Sequence, residues 1–148
     1  MIRSQALPQP ERVADWPRLT ATVRPDGTGS LTINGTEHAC QALSVDELRT
    51  GMIAHCTAIA ARLGRPVRLT VTEDTSAWVL GIRPQGIVQL VDEQGMIPAA
   101  DTLGVHEGRC RKCRRLQSVT AANCGQCGIT DPHRITVDPP STEFDDSK

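Results

Sequence analysis

Six cysteines occur in the 148 residues, and four of them fall into two pairs of equal spacing. The pairs are Cys110-Arg-Lys-Cys113 and Cys124-Gly-Gln-Cys127, separated by ten residues. Two intervening residues let both thiolates of a pair reach one ion from a tight turn. Two such turns supply the four-sulfur tetrahedral set that Zn²⁺ prefers. One structural zinc ion on Cys110, Cys113, Cys124 and Cys127 is therefore the expected chemistry. Iron held by similar knuckles and a pair of redox dithiols are the competing readings. Iron sites of that type usually carry aromatic packing that this segment lacks, and no βαβ context supports a thioredoxin-like motif. A closed thiolate shell leaves no coordination position for water, which argues against hydrolytic metal catalysis.

Basic residues crowd the first knuckle. Arg109, Arg111, Lys112, Arg114 and Arg115 lie within seven positions. Guanidinium forks suit phosphate and carboxylate, so Arg111, Lys112, Arg114 and Arg115 are candidate contacts to a nucleic acid or an acidic partner. The alternative is that they offset the thiolates and stay solvated. The net charge of −1 hides a gradient: −2 over residues 1–104, +4 over 105–137 and −3 over 138–148. Four thiolates around one Zn²⁺ add about −2, which lowers the middle segment to about +2.

Other chemistry is sparse. His38, His55, His106 and His133 are scattered without a nucleophile or paired carboxylate at a useful spacing. Cys56 sits on an apolar helix stripe and Cys40 at a strand end, and packing explains both. Asp26-Gly27-Thr28-Gly29 lacks the lysine and following helix of a phosphate loop. One Phe, two Trp and no Tyr leave almost no platform for base stacking.

The elements that must position these residues can be read from periodicity. Leu19, Ala21 and Val23 alternate, then Pro25-Asp26-Gly27 turns the chain. Leu31 and Ile33 continue a second strand, and Asn34-Gly35 is a strong hairpin signal. A third strand follows at about 36–41. Ser44-Val45-Asp46-Glu47 reads as a capping box, opening a helix over about 45–63. Its apolar stripe is Leu48, Met52, Cys56, Ile59 and Leu63. Gly64 and Pro66 end it. Alternation resumes at 67–72, at 78–82 and at 87–91. The order βββ-α-βββ predicts an α+β fold, an antiparallel sheet covered by one helix, over 18–92. Residues 1–17 read as a flexible arm in which Trp16 is a candidate anchor, 93–108 as a linker, and 138–148 as a disordered acidic tail. Val119-Thr120 and Ile135-Thr136-Val137 are candidate short strands around the metal. No signal peptide or membrane span is evident, so cytoplasmic residence is expected.

Residues 109–137 resemble the zinc-ribbon superfamily. The Cys124-Gly125-Gln126-Cys127-Gly128 knuckle is close to that family's pattern, whereas the first knuckle has Arg114 where a glycine usually follows. The resemblance covers about a fifth of the chain. It implies a structural zinc ion and a role in recognition. The resulting expectation is a non-enzymatic accessory protein whose ribbon contacts nucleic acid or an acidic protein surface. The alternative is a pure protein–protein adaptor stapled by zinc. An enzyme of unknown class, with the sheet face as its pocket, has no motif in its favour, and no small-molecule substrate is evident.

Overall fold

A computed structural model describes residues 10–100 and 104–140. Eleven strands and one helix occur among them. The strands are β1 (Glu11–Arg12), β2 (Leu19–Val23), β3 (Thr28–Ile33), β4 (Thr36–Gln41), β5 (Val67–Glu73) and β6 (Ser76–Ile82). They continue with β7 (Val88–Leu90), β8 (Met96–Ile97), β9 (Glu107–Arg109), β10 (Leu116–Ser118) and β11 (Thr136–Pro140). The helix, α1, spans Val45–Leu63 between β4 and β5.

The chain is α+β, with one helix on a mostly antiparallel sheet of order β11-β4-β3-β2-β5-β6-β7. The hairpin at Asn34-Gly35 follows from local chemistry: both residues take positive φ, 50° and 88°, as a tight two-residue turn requires. Ser44 caps α1 by accepting the Glu47 amide at 3.2 Å, and Gly64 closes it in the left-handed conformation. The helix stripe of Leu48, Met52, Cys56 and Ile59 packs on Leu19, Ala21, Leu31, Val67, Leu69 and Ile82. Burying each large aliphatic side chain in such a core contributes roughly 1.5–3 kcal/mol. Cys40 and Cys56 are buried here, and burial pushes the Cys56 thiol up to about 12. They act as small apolar groups.

The sheet departs from the all-antiparallel expectation at one place. β2 and β5 are parallel, with Leu19 beside Leu69 and Val23 beside Glu73. After β4, α1 carries the chain back across the sheet and delivers β5 in the direction of β2. A crossover of helix length is what parallel neighbours need.

The arm expected over residues 1–17 contains an ordered stretch. β1 pairs with β8, Val13 is fully buried, and the Val13 amide donates to the Gly95 carbonyl at 2.8 Å. This two-stranded ribbon lies on the sheet face opposite α1, where Gly81 leaves room: a Cβ there would stand 2.6 Å from Ile97. Arg83 ties the ribbon down. Its side chain, 1% exposed, donates to Gln89 Oε1 (2.7 Å), Glu11 Oε1 (2.7 Å) and the Pro98 carbonyl (2.8 Å). The segment expected as a linker over 93–108 thus supplies β8, the Pro98 acceptor and the first residues of β9. Trp16 is exposed, but its carbonyl accepts from Arg65 at 2.6 Å, and the same guanidinium stands 6.0 Å from its ring.

The C-terminal segment also joins the sheet. Thr136 lies beside Gln41 and Val137 beside Cys40, which makes β11 the edge strand next to β4. Ile135-Thr136-Val137 was expected to wrap a metal, but the open hydrogen-bonding edge of β4 takes the strand instead. Val119-Thr120 forms a turn, and the strand lies just before it at 116–118. Of the acidic tail, residues 138–140 complete β11, and 141–148 lie outside the described residues. No described helix is long and apolar enough to cross a membrane.

Candidate metal centre

Both cysteine pairs sit on tight turns built the same way. In the first, the Cys110 amide donates to the Arg115 carbonyl at 2.8 Å, and the Arg114 amide returns to the Cys110 carbonyl at 3.1 Å. In the second, the Cys124 amide donates to Ile129 at 2.9 Å, and the Gly128 amide returns to Cys124 at 3.0 Å. The residue after the second cysteine of each pair has positive φ, 69° at Arg114 and 79° at Gly128. Glycine takes this conformation without cost. Arg114 takes it although its side chain makes it unfavourable, and an ion pair to Glu47 holds that side chain. The missing glycine of the first knuckle therefore leaves its geometry intact. Gly125 is not in the positive-φ set, and a Cβ there would meet nothing within 4 Å.

The turns aim backbone amides at sulfur. Cys110 Sγ accepts from the amides of Lys112 (3.3 Å) and Cys113 (3.5 Å). Cys124 Sγ accepts from those of Gln126 and Cys127, both at 3.3 Å. Desolvation is the largest influence on the Cys124 thiol and opposes ionisation. The Cys127 and Gln126 amides, together with the neighbouring Cys113 and Cys127 thiols, outweigh it and bring the thiol down to about 5. Donors fixed before any ion arrives favour the thiolate form that a metal needs.

All four sulfurs lie within 4.8 Å of one another, with Cys110 and Cys127 buried and half-buried at one edge and Cys113 and Cys124 at the other. Those edges measure 3.8 Å for Cys110–Cys127 and 3.5 Å for Cys113–Cys124. A tetrahedron of thiolates at a Zn–S distance of about 2.3 Å has edges of about 3.8 Å. The cluster can hold a metal ion with little rearrangement.

One residue of the centre has no signature in the sequence. Gln117, buried on β10, donates from Nε2 to Cys124 Sγ at 2.9 Å and accepts the Gly125 amide at 3.1 Å. A single glutamine spans ligand and knuckle. The β9–β10 register, Gln117 opposite Gly108, turns it inward. A strand of three residues is too short for that alternation to be read from sequence.

No family model, curated protein or solved structure matches this chain.

The four candidate cations have different fates. Arg114 is paired with Glu47 on the first turn of α1. That engagement takes Glu47 away from the reciprocal half of the capping box. Arg111 donates to the carbonyls of Asp131 (2.9 Å) and Thr130 (2.8 Å), bracing the first knuckle against the chain beyond the second. Arg115 is exposed and reaches Gln126 Oε1 at 3.3 Å. Lys112 is exposed, and its side chain has no hydrogen-bond partner among the described residues. His133 is no ligand here. It is buried, and its Nε2 lies 2.9 Å from the Ser118 carbonyl, so Nε2 carries the proton.

The cysteine segment rests directly on α1. A Cβ at Gly51 would come within 2.2 Å of Ile135, and one at Gly108 within 2.2 Å of Thr50. Two glycines, one on each side, allow this close approach.

Proposed function

We propose that the chain is a non-enzymatic zinc-binding accessory protein in which a zinc ribbon, set against α1 and the β4 edge, presents cations to an anionic partner. The observation that carries the reading is the closed four-sulfur shell with edges near those of a zinc tetrahedron. Four sulfurs complete the coordination of Zn²⁺, so the ion serves folding rather than catalysis. A segment this small buries too little apolar surface to hold its shape alone. Bound zinc contributes roughly 10–16 kcal/mol in peptides of comparable size.

The partner reading rests on charge. Lys112 and Arg115 stay exposed on the ribbon, whereas Arg111 and Arg114 are engaged within the chain. The second reading, a protein–protein adaptor with zinc as a staple, is favoured by those internal engagements. Salt separates the two. Phosphate contacts give a binding constant that falls steeply with ionic strength. Metal analysis of the purified chain should return one zinc per chain. An affinity capture from the native host, with and without a chelator, should lose its partner on chelation. A zinc-free protein with unchanged amide spectra over 107–134 would end this reading.

A further inference from the structure

Between the ribbon, the first turns of α1 and the end of β4 lies a cleft of about 410 Å³. Its size falls within the roughly 300–1,000 Å³ usual for ligand sites. Three guanidinium-bearing residues line it: Arg109 from β9, Arg111 from the first knuckle and Arg134 from beyond the second. They come from positions up to 25 residues apart in the sequence, so the fold brings them together. Arg109 spends one donor on the Arg114 carbonyl (3.2 Å), and Arg111 spends two on the Thr130 and Asp131 carbonyls. Each guanidinium has five N–H donors, so both are oriented and still have donors to offer. Arg134 is exposed, and its side chain has no hydrogen-bond or ion-pair partner among the described residues. Glu47 also lines the cleft, but its carboxylate is paired with Arg114. The cleft is therefore cationic, and low-dielectric walls focus such a field.

We propose that this cleft is a phosphate-binding site, with Arg109, Arg111 and Arg134 as its ligands and Thr50 and Gln41 as neutral donors on the opposite wall. Phosphate offers more oxygens and more charge than a carboxylate, and a set of guanidinium forks matches it. The proposal rests on the reading of the protein as a binder of an anionic partner and narrows where that partner engages. One wall is ribbon and the other is sheet and helix, so the cleft exists only while the ribbon is docked. Metal loading and phosphate binding are then linked without any contact between ligand and ion.

The phosphate can belong to a nucleic-acid backbone or to a small phosphoryl compound, and two probes separate them. The zinc-loaded full chain is titrated calorimetrically with inorganic pyrophosphate. A labelled 20-nucleotide DNA of mixed sequence is followed by anisotropy at low and moderate salt. Arg134→Ala should weaken whichever probe binds by at least tenfold, and Arg109→Ala should do so as well. Arg62→Ala, a charge removed from the far end of α1, should change it less than twofold. Tight pyrophosphate binding with weak DNA binding assigns a small phosphoryl ligand, and the reverse assigns a backbone. Binding of either probe that survives both arginine substitutions overturns the cleft and leaves the anion-binding reading standing. Absence of binding by both probes at low salt overturns the two together. Zinc content and amide spectra of each variant, recorded in parallel, show that the fold is kept.

Discussion

Replacing Gln117 with alanine should weaken the proposed zinc binding although Gln117 is not one of the four candidate ligands. Two bonds are lost, Nε2 to Cys124 Sγ at 2.9 Å and the Gly125 amide to Oε1 at 3.1 Å. A hydrogen bond to a charged group contributes about 1.5–3 kcal/mol, and an amide left unpaired in a buried place costs about 1–3 kcal/mol. Gly125 is exposed, so water replaces its partner and the second cost largely vanishes. The first remains, because Cys124 is only 4% exposed and no water replaces the lost donor. About 1.5–3 kcal/mol corresponds to roughly 10–150-fold in affinity. That range agrees with the 10–100-fold usual for residues that support metal ligands. Competition against a chromophoric chelator measures it directly. Gln126→Ala is the control, since its exposed side chain makes one bond at 3.3 Å to Arg115 and its amide donor to Cys124 survives. If Gln117→Ala binds zinc within twofold of the parent, the inward donor is not supporting the thiolate and the reasoning fails.

Other predictions follow from the packing and the charges. Gly51→Ala should destabilise the protein by about 1–3 kcal/mol in urea unfolding despite alanine's better helix propensity, because its methyl meets Ile135 at 2.2 Å; Ile135→Ala should relieve that clash. Arg83→Met should cost about 2–3 kcal/mol, less than for a fully buried ion pair because Glu11 is 41% exposed. Its signature should be faster amide exchange in β1 and β8, and slow exchange there would contradict the network. Acid should destabilise in two windows. Burial first, then Arg62 and His38, lowers the His55 pKa, and burial then His133 lowers that of His106. Both rings are held neutral in the fold, so their contribution is full above about 6.5 and declines as pH falls through their folded values. Bonds from Arg49 lower Glu73, and bonds from Thr28 lower Asp26, so a further decline begins below about 4.5. Glu73→Gln should flatten the second decline in a pH series of unfolding midpoints, and an unchanged curve would rule out its part.

Local signals make the central architecture legible in the sequence. The Ser44 cap, the Gly64 stop, the Asn34-Gly35 turn and the alternation of β2, β5 and β6 each depend on neighbours in sequence. So does the pairing of cysteines two residues apart. What could not be read was set by partners far away. β1 and β8 have two residues each, too few to show a period, and their partners lie 84 and 86 positions apart. The parallel β2–β5 pair is decided by where α1 lands. The fates of Arg111 and Arg114 depend on carbonyls and a carboxylate contributed by other segments. Charge counting marked those residues as free cations, but it cannot tell a guanidinium that braces a turn from one that waits for a ligand.

The pairing of β11 with β4 has a consequence for the life of the chain. Among the described strands β11 leaves the ribosome last, and the cysteine segment precedes it. Until β11 pairs, the edge of β4 presents unpaired amides and carbonyls. Such an exposed edge is a template for another chain. Once β11 is in place, the new border carries Pro139 and Pro140, which have no amide hydrogen to offer a further strand. On the zinc reading proposed above, metal supply would govern more than one small module: a chain whose cysteine segment stays unfolded without its ion would keep an open flank, prone to self-association rather than merely lacking an ion.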